Sequence, residues 1–264
     1  MVERFFDELW KDYTQLAPQA RVIQELFAAT NAQVVNDHVA FRTFSATPLE
    51  LDHLEPLILQ LGYIVQGQYR FEQKRLRARS YIHPDSGVPK IFLSELLVTE
   101  LSESAQSILA SYTGQIALGE RDSSVFYSGR AWAMPSWTDY QALLAESEYA
   151  AWLLAIGLRA NHFTISVNHL DQPTTLMQVV ERVKRAGFDV NAVGGEIKGS
   201  PELMLEQAST LADQQMMVFA EGDSHPIATC FYEFALRYPQ QDGVLFQGFV
   251  EGNADKIFDS TNRR

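Results

Sequence analysis

The sequence predicts an α+β fold in which two βαβββ modules pair and curl around one central cavity. Three observations lead there. The order strand, helix, three strands occurs twice along the chain. A histidine stands near the start of the first strand of each copy, His38 in "NDHVAFRTFS" and His162 in "NHFTISVNHL". The segment between the copies, residues 97–160, patterns as a mainly helical connector. These features bound a single domain over residues 1–264. Its first module covers 30–96, and its second covers 161–264 with a C-terminal helix.

Residues 3–29 read as two helices broken at Pro18, with Phe5, Phe6, Leu9, Trp10 and Tyr13 near helical spacing. This acidic, amphipathic start is expected to pack outside the barrel. It does not read as a signal peptide, and no run of 18 apolar residues occurs, so the cytoplasm is the expected compartment. In the first strand Val39, Phe41 and Phe44 are apolar, while His38 and Arg42, four residues apart, share one face. Thr47 is expected to cap the next helix, with Pro48 in its first turn and Gly62 just past its end. Extended runs "YIVQGQYRF", "RARSYIHP" and "IFLSEL" complete the module.

In the second copy "TTLMQVVERVKRAG" reads as a capped helix closed at Gly187. The three following strands are expected around "FDVNAVGGEIKGS", "QQMMVFAEG" and "ATCFYEFALRY". Neither module is large enough to bury both faces of its sheet alone. Pairing them would bring the inward faces of the two first strands, and so His38 and His162, together.

Composition narrows the function classes. The formal charge is 21 − 33 = −12, which disfavours nucleic acid and anionic membranes as partners. The single cysteine, Cys230, permits no intramolecular disulfide and no thiolate zinc cluster; set among aromatics, it reads as an inert core thiol. "GGEIKGS" is followed by no Walker Lys-Ser/Thr pair, and no GxGxxG is present. Its glycines suit a loop over the barrel mouth, with Lys198, Ser200 or Gln207 as candidate substrate contacts.

Two histidines need a third ligand to make a metal site, and Glu233 in "TCFYEFALRY" is the candidate. A carboxylate in so apolar a strand requires a partner or a metal. Two imidazoles and one carboxylate on one face of an ion leave adjacent positions open. That ligand set serves mononuclear non-haem iron(II) oxygenases, and zinc could use it for lyase or hydrolase chemistry.

The run "CFYEFALRYPQQDGVLFQGFVEGNADKIFDST" resembles the end of 4-hydroxyphenylpyruvate dioxygenases, through Glu233, Gly248-Phe249, Gly252-Asn253 and Phe258. Those enzymes belong to the vicinal-oxygen-chelate superfamily, whose βαβββ modules match the repeat. Taken with "NDHVAFRTF", "NHFTISVN" and "KGSPELMLEQAST", nearly the whole chain resembles the 2-oxoadipate dioxygenase/decarboxylase family, as a short member. The resemblance implies a barrel-like metal site with Fe(2+) held by His38, His162 and Glu233, and a substrate carboxylate held by Arg42. It implies oxidative decarboxylation of a 2-oxo acid with dioxygen, 2-oxoadipate going to 2-hydroxyglutarate. The alternatives are a zinc or other divalent-metal lyase or hydrolase on the same ligands, and a barrel that only binds a small molecule.

Other polar residues carry blander expectations. Glu95 in "IFLSEL" is read at the position in the first module that Glu233 holds in the second, with a capping role preferred over a fourth-ligand role. The basic stretch around "FEQKRLRARS" reads as a solvated hairpin, from which Arg77 or Arg79 could face the barrel. His53, His83, His169 and His225 are not expected to bind metal.

Overall fold

The computed structural model describes residues 1–261. The chain opens with helices α1 (Val2–Leu16) and α2 (Pro18–Ala28) and continues as β1 (Asn36–Phe44), α3 (Leu51–Gln60), β2 (Ile64–Phe71), β3 (Leu76–Ile82) and β4 (Lys90–Leu96). The connector carries α4 (Glu103–Thr113), α5 (Trp137–Glu146) and α6 (Glu148–Ile156). The second half is β5 (Ala160–Ser166), α7 (Leu176–Arg185), β6 (Lys198–Ser200), β7 (Leu205–Ser209), β8 (Gln214–Val218), β9 (Ser224–Ala228), β10 (Phe231–Arg237) and α8 (Glu251–Ile257). The last three residues of the second module, as bounded from the sequence, lie outside the described residues.

Eight strands form one sheet in the order β2-β3-β4-β1-β5-β10-β7-β6. Its halves repeat one topology: β1 is parallel to β4 as β5 is parallel to β10, and the outer strands follow antiparallel. The halves join where β1 and β5 pair antiparallel. This is the expected α+β architecture. The sheet curls, and α8 packs against β2 on one edge and β6 and β7 on the other, closing the mouth.

Alternation along the strands sorts side chains between the two sheet faces. Phe163 and Tyr232 point outward, where Trp10 and Tyr13 of α1 pack on them. Their neighbours His162 and Glu233 therefore point inward. Thr175 caps α7 by accepting from the Gln178 N–H, and Gly187 follows the helix at φ +91°.

Two local expectations are corrected. Helix α3 begins at Leu51 and has no cap from Thr47; its first N–H donates instead to Glu95 Oε1 at 2.6 Å. Thr47 serves the preceding turn, its hydroxyl accepting from the Leu49 N–H. "QQMMVFAEG" does not join the barrel. Among the described residues its strand β8 pairs only with β9, leaving Met216 and Val218 exposed. The sheet position beside β10 belongs to β7, all of whose residues are at least partly buried.

Candidate metal centre

The strand register places the three predicted ligands on adjoining strands. His38 of β1 lies opposite Thr164 of β5, and Thr164 lies opposite Glu233 of β10. Two residues along, on the same face, Ala40, His162 and Phe231 form a second row. The small side chains Thr164 and Ala40 leave room over which the larger ones converge.

His38, His162 and Glu233 are all buried, and one potential ligand atom from each lies within 4.8 Å of the others. His162 Nε2 is 3.1 Å from Glu233 Oε2, and His38 Nε2 is 3.6 Å from Glu233 Oε1. Ligand bonds of about 2.1 Å meeting at a right angle would place donor atoms ~3 Å apart, so these separations fit a shared ion.

The outer hydrogen bonds aim the same atoms. Asp37 Oδ1 accepts from His38 Nδ1 at 2.8 Å, and Asn161 Oδ1 lies 3.1 Å from His162 Nδ1. Each fixes the Nδ1–H tautomer and leaves Nε2 as the lone-pair nitrogen suited to a ligand role, with the Thr164 hydroxyl 3.1 Å from that of His38. Gln207 Nε2 donates to Glu233 Oε1 at 2.6 Å, and Asn253 Nδ2 donates to Gln207 Oε1 at 3.1 Å. Gly199, at φ +87°, admits this arrangement, because a Cβ there would collide with Leu205 O and Asn253. Among the described residues Glu233 Oε2 has no hydrogen-bond donor although it is buried. A buried anionic oxygen left without a donor, with an imidazole lone pair 3.1 Å away, fits a cation between them.

Electrostatics agree with a charged carboxylate. Burial raises the Glu233 pKa, but the two histidines and the Gln207 hydrogen bond outweigh it and leave it below the usual range. Burial is the largest influence on His162 and holds its imidazole below the ordinary value, favouring the neutral, ligand-competent form. For Asp37 burial is again opposed, here by the Arg237 fork at 2.7 and 2.8 Å, which holds its carboxyl well below normal.

Both residues that tether the histidines occupy β-bulges. Between β1 and β5 the register skips Asp37 on one strand and Asn161 on the other. The extra residue re-aims a side chain that alternation would send to the opposite face. The Asx-His dipeptides at 37–38 and 161–162 were the only signal in the sequence, and strand alternation alone misses it.

Arg42 lines the same cavity, together with Phe92, Phe249 and Phe258. Its guanidinium is engaged: Nη1 donates to Glu148 Oε1 at 3.2 Å and Nη2 to Thr261 Oγ1 at 2.9 Å. Tyr149 and Trp152 flank it. Of its three nitrogens, only Nε lacks a hydrogen-bond partner among the described residues. Of the loop candidates, Gln207 reaches the cavity. The Lys198 ammonium is buried against the Asn191 carbonyl, and burial pushes its pKa down to about 8.

Several other residues point elsewhere. The register corrects Glu95: Lys90 matches His38 as Phe231 matches His162, so Phe92, not Glu95, stands where Glu233 stands. Glu95 faces α3, where it caps Leu51 and pairs with Arg77. Arg77 and Arg79 lie on that outer face with Asp52 and Glu55. His53 is exposed, His83 packs on Tyr63, His169 bonds Ser166 and His225 stacks on Trp137. The Cys230 thiol is buried with its pKa raised by desolvation, as befits an inert core thiol.

Comparison with known proteins identifies the family. The family described as 2-oxoadipate dioxygenase/decarboxylase matches residues 5–118 and 124–241. The chain belongs to that family. Over 96% of its length it is 36% identical to the chloroplastic/amyloplastic 2-oxoadipate dioxygenase/decarboxylase of Oryza sativa, covering 76% of that protein. The crystal structure of hydroxyglutarate synthase from Oryza sativa in complex with 2-oxoadipate superposes with a TM-score of 0.93 at 34% identity. That match covers 98% of this chain and 91% of the rice chain. A Shewanella frigidimarina protein, provisionally named a hydrolase, gives 0.89 at 44% identity, over 95% of this chain and 98% of its own. The 2-oxoadipate dioxygenase/decarboxylase family thus supplies the frame for reading the buried triad.

Proposed function

We propose that this chain is an iron(II)-dependent dioxygenase/decarboxylase that converts 2-oxoadipate and dioxygen to 2-hydroxyglutarate and CO2. The observation that carries it is the triad: two imidazoles tied back through Nδ1 and a carboxylate oxygen without a donor, all directed at one point. The similarity to a hydroxyglutarate synthase crystallised with 2-oxoadipate supports the substrate. The reaction balances without a further reductant, because the substrate's own decarboxylation supplies two electrons.

His38, His162 and Glu233 would hold the metal. Iron(II) there would supply redox chemistry toward dioxygen and adjacent positions for a chelating 2-oxo acid. The remaining residues bind and orient. Arg42 lies four residues along the strand from His38, about 13 Å at ~3.3 Å per residue. It is therefore read as meeting the far carboxylate of a dicarboxylic acid, not the chelating end. A two-pronged grip would require its Glu148 or Thr261 contact to exchange for substrate. Phe92, Phe249 and Phe258 give the cavity apolar walls that exclude water and strengthen each polar contact inside.

The test is oxygen uptake by protein reconstituted anaerobically with iron(II), across a panel of 2-oxo acids. One O2 consumed and one CO2 released per 2-oxoadipate is the expected stoichiometry. Turnover without O2 consumption, with zinc or another divalent ion, would instead establish the lyase or hydrolase reading. Binding without turnover under every metal would leave a small-molecule carrier.

A further inference from the structure

Asn161 is the counterpart of Asp37: each sits in a bulge ahead of a ligand histidine, and each places Oδ1 on that histidine's Nδ1. Their other ends differ. Asp37 has both oxygens satisfied by the Arg237 fork. Among the described residues no arginine reaches Asn161. Its Nδ2 is buried and has no hydrogen-bond partner among the described residues, and Asn161 lines the cavity that holds the triad.

The orientation of this amide follows from the chemistry. If His162 offers Nε2 to a metal, its Nδ1 carries the proton and must meet an oxygen, which fixes Oδ1 toward the ring. The amide N–H groups then have to go elsewhere. A buried donor without an acceptor is unfavourable, so the position is retained only if something that enters the cavity accepts from it.

We propose that Asn161 is a substrate-positioning residue whose Nδ2 donates to an oxygen of the chelating end of the bound 2-oxo acid, while its Oδ1 orients His162. The acceptor is an anionic carboxylate oxygen or the adjacent keto oxygen. An aspartate at 161 would keep the histidine tether but replace the donor with a second buried negative charge beside Glu233. This explains why the two bulges carry different members of the Asx pair.

The inference rests on the proposed 2-oxo acid function, and the experiment separates the two. Protein loaded with Co(2+), without O2, is titrated with 2-oxoadipate and separately with azide, following the cobalt absorption bands. Metal affinity is measured by chelator competition and folding by thermal melts. Asn161→Asp is expected to hold metal within about threefold of the wild type while binding 2-oxoadipate ~30-fold more weakly; azide, which meets the added charge but loses no amide donor, should lose less than about fivefold. Asn161→Ala, which also removes the tether, should weaken metal binding roughly tenfold and keep the same bias against 2-oxoadipate over azide. That bias in either folded variant supports the proposal. Equal losses for both anions, or wild-type binding of 2-oxoadipate by either variant, would overturn it. If wild-type protein with metal bound takes up azide but no 2-oxo acid, the function itself is wrong and this inference falls with it.

Discussion

Phe92 of β4 occupies the position in the first module that Glu233 of β10 occupies in the second, two residues beyond the strand partners of His38 and His162 respectively. The duplicated fold thus presents one carboxylate where its symmetry would allow two. The asymmetry leaves the first module contributing a single candidate ligand and an aromatic wall, with Phe92 packed on Phe249 at 5.0 Å.

Glu95, one face away, is therefore expected to matter for folding and not for metal. Glu95→Ala removes the N-terminal cap of α3 and the partner of Arg77. Because Arg77 is partly exposed, the loss should be about 2 kcal/mol, lowering Tm by ~4–8 °C. Metal stoichiometry should stay unchanged. A loss of metal at unchanged Tm would refute the assignment.

Asp37 connects His38 to the chain that covers the site. Arg237, held by Asp37, also donates to the carbonyls of Phe246 and Gly248, just before Phe249 packs on His38. Asp37→Ala is expected to weaken metal affinity by roughly 10- to 100-fold through His38. Chelator competition measures this, and an unaltered affinity would mean that the tether is dispensable.

The same residue gives a signed pH dependence. The Asp37 pKa is depressed in the folded state, so its stabilisation is complete above its unfolded value near ~3.9 and is lost as pH falls below that. Urea denaturation of metal-free protein between pH 7 and 3 should show stability dropping on the acid side. In Asp37→Asn the acid slope should be shallower by up to about 1.4 kcal/mol per pH unit. Parallel curves would show that the pair contributes nothing.

For Glu233→Gln, metal binding and metal-free stability should move in opposite directions. The amide removes a buried charge and can donate toward His162 Nε2, so metal-free Tm should hold or rise. Metal-dependent stabilisation, about 2.7 kcal/mol for wild type at a hundredfold excess over Kd, should disappear. A Tm rise with added metal in this variant would contradict the ligand assignment.

Arg42→Lys distinguishes a substrate grip from a structural ion pair with Glu148. A grip on the far carboxylate predicts kcat/KM for 2-oxoadipate falling about 10- to 100-fold. Turnover of a 2-oxo acid with no second carboxylate should barely change. A structural pair predicts equal effects on both substrates and a lowered Tm.

The repeat, the convergence of His38, His162 and Glu233, and the inward aim of Arg42 were legible in the sequence, because each follows from a periodicity of two or from chemistry-bearing residues at matching places in two similar segments. His38 and His162 needed no coordinates to be paired. What the sequence could not decide depends on register and on contacts between distant segments. Strand alternation sends Asp37 and Asn161 away from the cavity, and only the bulges created where β1 meets β5 turn them toward their histidines. Counting along β4 suggested Glu95 as the counterpart of Glu233, but pairing with β1 assigns Phe92. The "QQMMVFAEG" segment has strand character, yet whether a strand joins the barrel is set by what covers its faces. Local propensity specifies that a segment is extended; the neighbour it pairs with is fixed by burial across the whole sheet, and that exists only once the chain has folded.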